Sequence, residues 1–407
     1  MIAVRAVDRA LYLLVVVALA IVLPSTASGA DHTKVVTVRC DKGETIGHAL
    51  KAHDGPLTIE VVGTCEEHVA IDRNDVGLVA GGLGAGIHGP DPATNTVMVT
   101  GDRFVLDGLS VTGGRNAVVV SGGGRAQLRN CHVQAAGDGI VGGIGILFFQ
   151  GANGTVDACE ATGNPADGIM IDGALAIVTN SRFTSNGRNG VFVFGGSTVR
   201  IGLTSAFGPA PNIISDNGGN GIHITQGAMA LIHGNTISGN GTNPASPVGR
   251  FGVILFQSRA DLVGSNTITG NFGSGILMVA STAFVGDPGF GLPFDNLIRG
   301  NSTAAPSQGV LVGTGSTITL RNATVDANNG AGVALSERST AVFVSVTVTG
   351  NTANGVQLIH GGGAIFRPVL PLSVLTGNTG FDLKCLDGES SFTGPIAPGA
   401  TIDCTGF

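Results

Sequence analysis

Nine short segments, each headed by a glycine, recur between Gly145 and Val356. They read GILFFQGA from Gly145, GIMIDGA from Gly168, GVFVFGG from Gly190, GIHITQGA from Gly221 and GVILFQS from Gly252. GILMVAS from Gly275, GVLVGTG from Gly309, GVALSER from Gly332 and GVQLIHG from Gly355 follow, and the successive spacings are 23, 22, 31, 31, 23, 34, 23 and 23. Asparagines 164, 186, 217, 240, 271, 301, 328, 351 and 378 keep step with them. Two ladders in phase, with extra residues at a few turns, mark a solenoid. A repeat this short holds about three strands of four to five residues with their turns. Within each segment the alternation has period two: Ile222 and Ile224 share one face, His223 and Thr225 the other. The expectation is an all-β, single-stranded parallel solenoid with like residues stacked about 4.8 Å apart. Glycine at the head of each segment is expected to supply φ > 0 at a sharp corner, with asparagine the next best residue there.

Runs such as SDNGGNGIHI and the opening GTCEEHVAI resemble the bacterial repeat proteins of the pectin lyase-like superfamily. The resemblance extends over roughly residues 35–404 and implies a right-handed parallel β-helix. It implies no single activity, because the superfamily spans lyases, hydrolases, epimerases and non-enzymes.

Residues 1–30 read as a signal peptide: Arg5 and Arg9, then an apolar run from Leu11 to Leu23, then Ser28-Gly29-Ala30. The run is short for a membrane span, so no transmembrane anchor is expected once the leader is removed. The leader carries Arg5, Arg9 and Asp8, so its removal takes the net charge from −7 to −8. Mild acidity argues against nucleic acid and anionic membranes as partners. Residues 31–80 read as an N-terminal cap with the first coils, including a short amphipathic helix with Ile46, Ala49 and Leu50 on one side. A solenoid needs such a cap to cover its open strand edges. Residues 81–384 form the coils and 385–407 a stapled C-terminal cap.

Six cysteines behind an export signal favour disulfides. Cys40 and Cys65 flank the cap helix, and Cys385 and Cys404 flank the last turn. Aligning QLRNCHV, TVDACEA and IVTNSRF puts Cys131, Cys159 and Ser181 at one position of successive coils, within disulfide reach. The other reading leaves Cys131 and Cys159 as reduced core thiols. Each closed pair constrains the unfolded chain by about 3 kcal/mol. Insertions after Ile201, Asn240 and Val285 are rich in Gly and Pro and read as loops at coil corners.

The family's enzymes bind polysaccharide along a strand face, so the outward residues of the glycine-headed segments are the first candidate site. One column is Leu147, Met170, Phe192, His223, Ile254, Leu277 and Leu311; the next is Phe149, Asp172, Phe194, Thr225, Phe256 and Val279. The face is apolar where a solvated sheet should be polar. The chain's own insertions fold over it, or it is a partner or self-association surface. His223, with Asp172 two coils away, is a candidate acid–base residue beside the commoner reading of a packed histidine. His132, Glu160 and Arg182 form a second outward column, either an oriented acid–base set or a surface ion ladder.

The acidic clusters that hold calcium in pectate lyases, the grouped aspartates of polygalacturonases and the Asp-Pro-His-Asp motif of alginate epimerases have no counterpart here. No cofactor motif or zinc spacing is found, and Asp138 and Asp167 read as turn residues. Asn153, Asn240, Asn301 and Asn322 match Asn-x-Ser/Thr, as an Asn/Thr-rich repeat would by composition. The chain has no Trp, and its one tyrosine, Tyr12, lies in the leader, so the polar-handled rings common at sugar sites are missing. The residues favour an exported periplasmic or secreted protein, a non-catalytic binding or scaffolding module whose partner is a polysaccharide or an envelope protein. The alternative is a lyase, hydrolase or epimerase acting on an acidic polysaccharide.

Overall fold

A computed structural model describes residues 33–140, 142–246, 249–286, 295–303 and 307–404. The expected signal peptide, residues 1–30, lies outside the described residues. The described chain is a right-handed parallel β-helix. Each coil visits three parallel sheets in turn: a first of 15 strands, a second of 13 and a third of 14, the third containing the nine glycine-headed segments. Apart from the end strands of each sheet, every described strand pairs with the strand one coil before and one coil after. Ile146, Ile169, Val191, Ile222, Val253 and Ile276 stack as one inward column of the third sheet. All six are fully buried, and with like columns from the other sheets they make one continuous core. Strict alternation makes this register obligatory, because a slip of one residue would turn the whole apolar column outward.

The cap is part of the stack. Strand Lys34–Arg39 pairs residue for residue with Leu57–Val62, so it is the first rung of the first sheet. Helix Ile46–Ala52 follows, with Ile46 and Ala49 buried. Thr45 accepts a hydrogen bond from His48 N, and the Glu67 carboxylate accepts from Ile46 N at 2.6 Å and Gly47 N at 3.0 Å, docking the helix N-terminus on the first coil.

The segment-head glycines are required for a different reason from the one expected. None of them has φ > 0; the left-handed residues include Gly163, Ser185, Asp216, Gly239 and Gly270, which precede the ladder asparagines. At Gly221 an added Cβ would lie 2.6 Å from the Gly252 carbonyl oxygen, 2.6 Å from Ile237 Cγ2 and 2.8 Å from Asn240 Nδ2. Close approach of the next coil excludes a side chain there.

The asparagine ladder is continuous. From Asn164 to Asn351, each Nδ2 donates to Oδ1 of the asparagine one coil on, at 2.8–3.1 Å. Asn378, the last, donates to the Asp382 carboxylate at 2.9 Å. Most of these asparagines are buried, Asn240 and Asn301 among them, so those two sequons are core residues.

The three disulfides are Cys40–Cys65, Cys131–Cys159 and Cys385–Cys404. The Cys131–Cys159 column continues upward as hydrogen bonds. Cys159 N donates to Ser181 Oγ and Ser181 N to Asn212 Oδ1. A second amide ladder, Asn212–Asn235–Asn266–Asn296, then carries it on.

Candidate functional site

The outer face of the third sheet carries both expected columns in register. Leu147, Met170, Phe192, His223, Ile254 and Leu277 stand one above another, as do Phe149, Asp172 and Phe194. Phe256 and Val279 continue the second column above Thr225. Most of these residues are half-buried; Phe256 is 41% exposed. Phe192 and Phe194 stack with ring centroids 5.0 Å apart and planes 15° apart, and the Phe192 ring meets His223 at 4.8 Å.

The expected cover is only partly present. Ile201 ends a strand of the first sheet, so its insertion emerges away from the third sheet and folds over its own face. Phe207 lies 4.7 Å over the Arg200 guanidinium, which donates to Ser205 O. The insertion after Asn240 stays at its corner, where Arg250 donates to Gly241 O at 2.6 Å and stacks on Phe272. Most of the insertion after Val285 lies outside the described residues. Among the described residues, most side chains of the apolar strip are half-buried.

Among the sequence candidates, His223 gains neighbours but not the expected one. Asp172 sits two coils below it in the other column, with the stacked phenylalanines between. Its carboxylate makes no hydrogen bond or ion pair among the described residues, and burial raises its pKa. The charge that acts on His223 is instead that of Arg188. Burial first, then the Arg188 charge, pushes the imidazole pKa down to about 4, so the ring is neutral at neutral pH. Nδ1 is enclosed without a partner.

Asp167, which the sequence presents as a turn residue, is wholly buried and feels the Arg188 charge. It ends a third, short amide ladder: Asn220 Nδ2 donates to Asn189 Oδ1, and Asn189 donates to Asp167 Oδ1 through Nδ2 at 2.7 Å and N at 2.9 Å. Burial raises the Asp167 pKa, against the opposing pull of Arg188 and the Asn189 bonds. Asp167 Oδ2, Arg188 Nε and His223 Nδ1 are all buried polar atoms without hydrogen-bond partners in this one corner. Such atoms are rare in folded chains and cluster where chemistry or binding occurs. Asp167 and Arg188 were missed because PADG and GRNG look like turns; the signal was a charged residue just ahead of a segment-head glycine.

The second column is a surface ladder. His132 Nδ1 lies 3.7 Å and Arg182 Nε 4.0 Å from the two Glu160 oxygens, with all three side chains well exposed. Next in register comes Ile213, and no further carboxylate joins the set. Exposed pairs of this kind contribute about 0–1 kcal/mol. Among the described residues no group of three His, Cys, Asp or Glu could hold a metal ion, and no helix is long and apolar enough to cross a membrane.

The family model described as the right handed beta helix region matches residues 91–203 and 168–368, more than half of the chain. The protein belongs to the right-handed β-helix family. No curated protein matches it. In fold this β-helix protein is similar to the A-module of the Azotobacter vinelandii mannuronan C-5 epimerase AlgE4, at 15% identity and a TM-score of 0.50, over 86% of this chain and 94% of that one. It is also similar to the periplasmic alginate epimerase AlgG, at 13% identity and a TM-score of 0.51, over 76% of each chain.

Proposed function

We propose that this β-helix protein acts on a uronate-containing polysaccharide laid along the outer face of the third sheet, with His223 as base and Arg188 as carboxylate-neutralising residue. The observation that carries the reading is the set of Asp167, Arg188 and His223, whose buried polar atoms without partners lie at the edge of an extended, half-buried apolar strip. A sugar ring resting on Phe192 and Phe194 would bring its carboxylate to Arg188 and its C5 hydrogen to Nε2 of neutral His223. His223 would take the C5 proton, and the C–H electron pair would pass into the carboxylate as an enolate balanced by Arg188. Delivery of a proton from water to the opposite face, with the His223 proton released to solvent, gives the C5 epimer. Departure of the C4 oxygen with its bonding pair, taking a proton from water, gives chain cleavage and an unsaturated sugar. Hydrolysis by two carboxylates lacks support, since among the described residues the register columns around Asp172 on this face hold no second Asp or Glu. The likeness in fold to two alginate epimerases agrees with the reading, and three disulfides agree with a place in the periplasm or outside the cell.

A non-catalytic binding module is the second reading, favoured by the stacked Phe192–Phe194 platform. One experiment separates the two. The full chain is incubated with uronate-containing polysaccharides in deuterated water, and C5 deuterium uptake and double-bond absorbance are followed. Uptake or elimination that is lost in His223→Gln, with an acid limb near pH 4 set by the His223 pKa, supports catalysis. Binding that is lost in Phe192→Ser/Phe194→Ser, with no exchange or elimination, leaves the binding module. No binding and no reaction overturns both.

A further inference from the structure

We propose that Asp172 is a specificity-determining residue which makes the ligand a mixed chain: a uronate at His223 and, about two sugars away, a neutral or amino sugar at Asp172. This rests on the polysaccharide reading above. Asp172 lies in register between Phe149 and Phe194 on the same face. Phe194 stacks on Phe192 at 5.0 Å, and Phe192 contacts His223 at 4.8 Å, so carboxylate, platform and imidazole form one track. Two coils separate Asp172 from His223, about 9.6 Å along the axis. One coil advances close to the length of one sugar in an extended chain, which sets the offset between the two positions.

The local charges point to the same conclusion. The Asp172 carboxylate is half-buried between two phenylalanines and has no cation or hydrogen-bond donor of its own among the described residues. Burial raises its pKa, as expected for a carboxylate without a counter-charge. Arg188 is a coil further along, and its charge acts on Asp167 and His223. A uronate seated at Asp172 would bring two carboxylates together on a weakly solvated surface. A hydroxyl pair or an ammonium there would supply the missing donors, with charge-assisted hydrogen bonds. A homopolymer of uronic acid brings a second carboxylate to Asp172 along with its hydroxyls, whereas a chain with isolated uronates offers hydroxyls there without that repulsion.

The test compares two probes by calorimetry on the full chain: oligogalacturonate, a uronate homopolymer, and deacylated gellan fragments, in which each glucuronate is flanked by neutral sugars. Wild type is expected to bind the gellan fragments at least about tenfold more tightly. Asp172→Asn should close most of that gap, chiefly by gaining the homopolymer, and Asp172→Glu should keep it. A purely structural role for Asp172 would lower both affinities together and leave their ratio alone. Equal or tighter binding of oligogalacturonate by wild type, or an unchanged ratio in Asp172→Asn, overturns the assignment. If both probes bind equally and Phe192→Ser/Phe194→Ser abolishes both, the polysaccharide face stands and only the role of Asp172 falls. If neither probe binds wild type, both fall.

Discussion

At the scale of single residues, two kinds of side chain hold the coils at their spacing: glycines that let the next coil approach and asparagines that hydrogen-bond to it. Gly221→Ala is the direct test of the first. Its Cβ would meet a backbone oxygen at 2.6 Å and the Asn240 amide at 2.8 Å, so neither can yield cheaply. We expect a loss of about 1–3 kcal/mol, the range for overpacking, seen as a lower denaturant midpoint at unchanged slope. A neutral substitution would show that the coils separate more easily than their register implies. The positions of these glycines and asparagines were legible in the sequence, because stacking forces like residues to like places. Their roles were less so, since spacing reports that a glycine is needed without saying whether conformation or contact requires it. The Asn212–Asn296 ladder was as regular, each member lying five residues ahead of Asn217, Asn240, Asn271 or Asn301, but it spans only four coils and its column begins with Cys131, Cys159 and Ser181.

At the scale of elements, the helix Ile46–Ala52 shows how a short segment is held by a distant charge. A seven-residue helix has little stability of its own, and here the Glu67 carboxylate takes its first two free N–H groups. Glu67→Ala should cost about 1–2 kcal/mol and loosen the helix from the core, with faster amide exchange at Ile46 and Gly47 and concentration-dependent association at the uncovered end. Unchanged exchange at those amides would show that burial of Ile46 and Ala49 alone suffices. The third sheet teaches the complementary point. Alternation revealed which residues face outward, including His223, Asp172 and the phenylalanines. It could not show the corner that approaches His223, because Arg188 and Asp167 belong to no alternating strand.

For the molecule as a whole, the far end is closed by a carboxylate. Asp382 accepts from Asn378 Nδ2, from Thr401 N and from Thr401 Oγ1, each at 2.9 Å, while Lys384–Asp403 and Cys385–Cys404 hold the same final strand. Burial alone would raise the Asp382 pKa, but the hydrogen bonds outweigh it, and the pKa is lowered below its usual 3.8. A carboxylate depressed in this way stabilises the fold above its unfolded pKa, and that contribution is lost as pH falls through the folded value. Acidification below 3.8 should therefore release the C-terminal segment before the coils melt, with amide exchange at Leu383 and Thr401 rising first. Simultaneous loss of protection throughout the coils would contradict this order.

The first amide ladder also makes the protein a recorder of its own time spent unfolded. Asn186, Asn217 and Asn240 are each followed by glycine, the pairing at which a free backbone nitrogen most readily attacks the side-chain amide and expels ammonia. In the coil, the nitrogens of Gly187, Gly218 and Gly241 are hydrogen-bonded to carbonyls of the preceding coil, and the asparagine side chains are locked. Once the chain opens, that protection is gone. The product carries a carboxylate that cannot donate to the next Oδ1, and aspartate ends an amide ladder at both Asp382 and Asp167. Holding the denatured protein at mildly alkaline pH should thus lower the refolding yield steadily with time, in step with ammonia released, while the native protein stays unchanged under the same conditions.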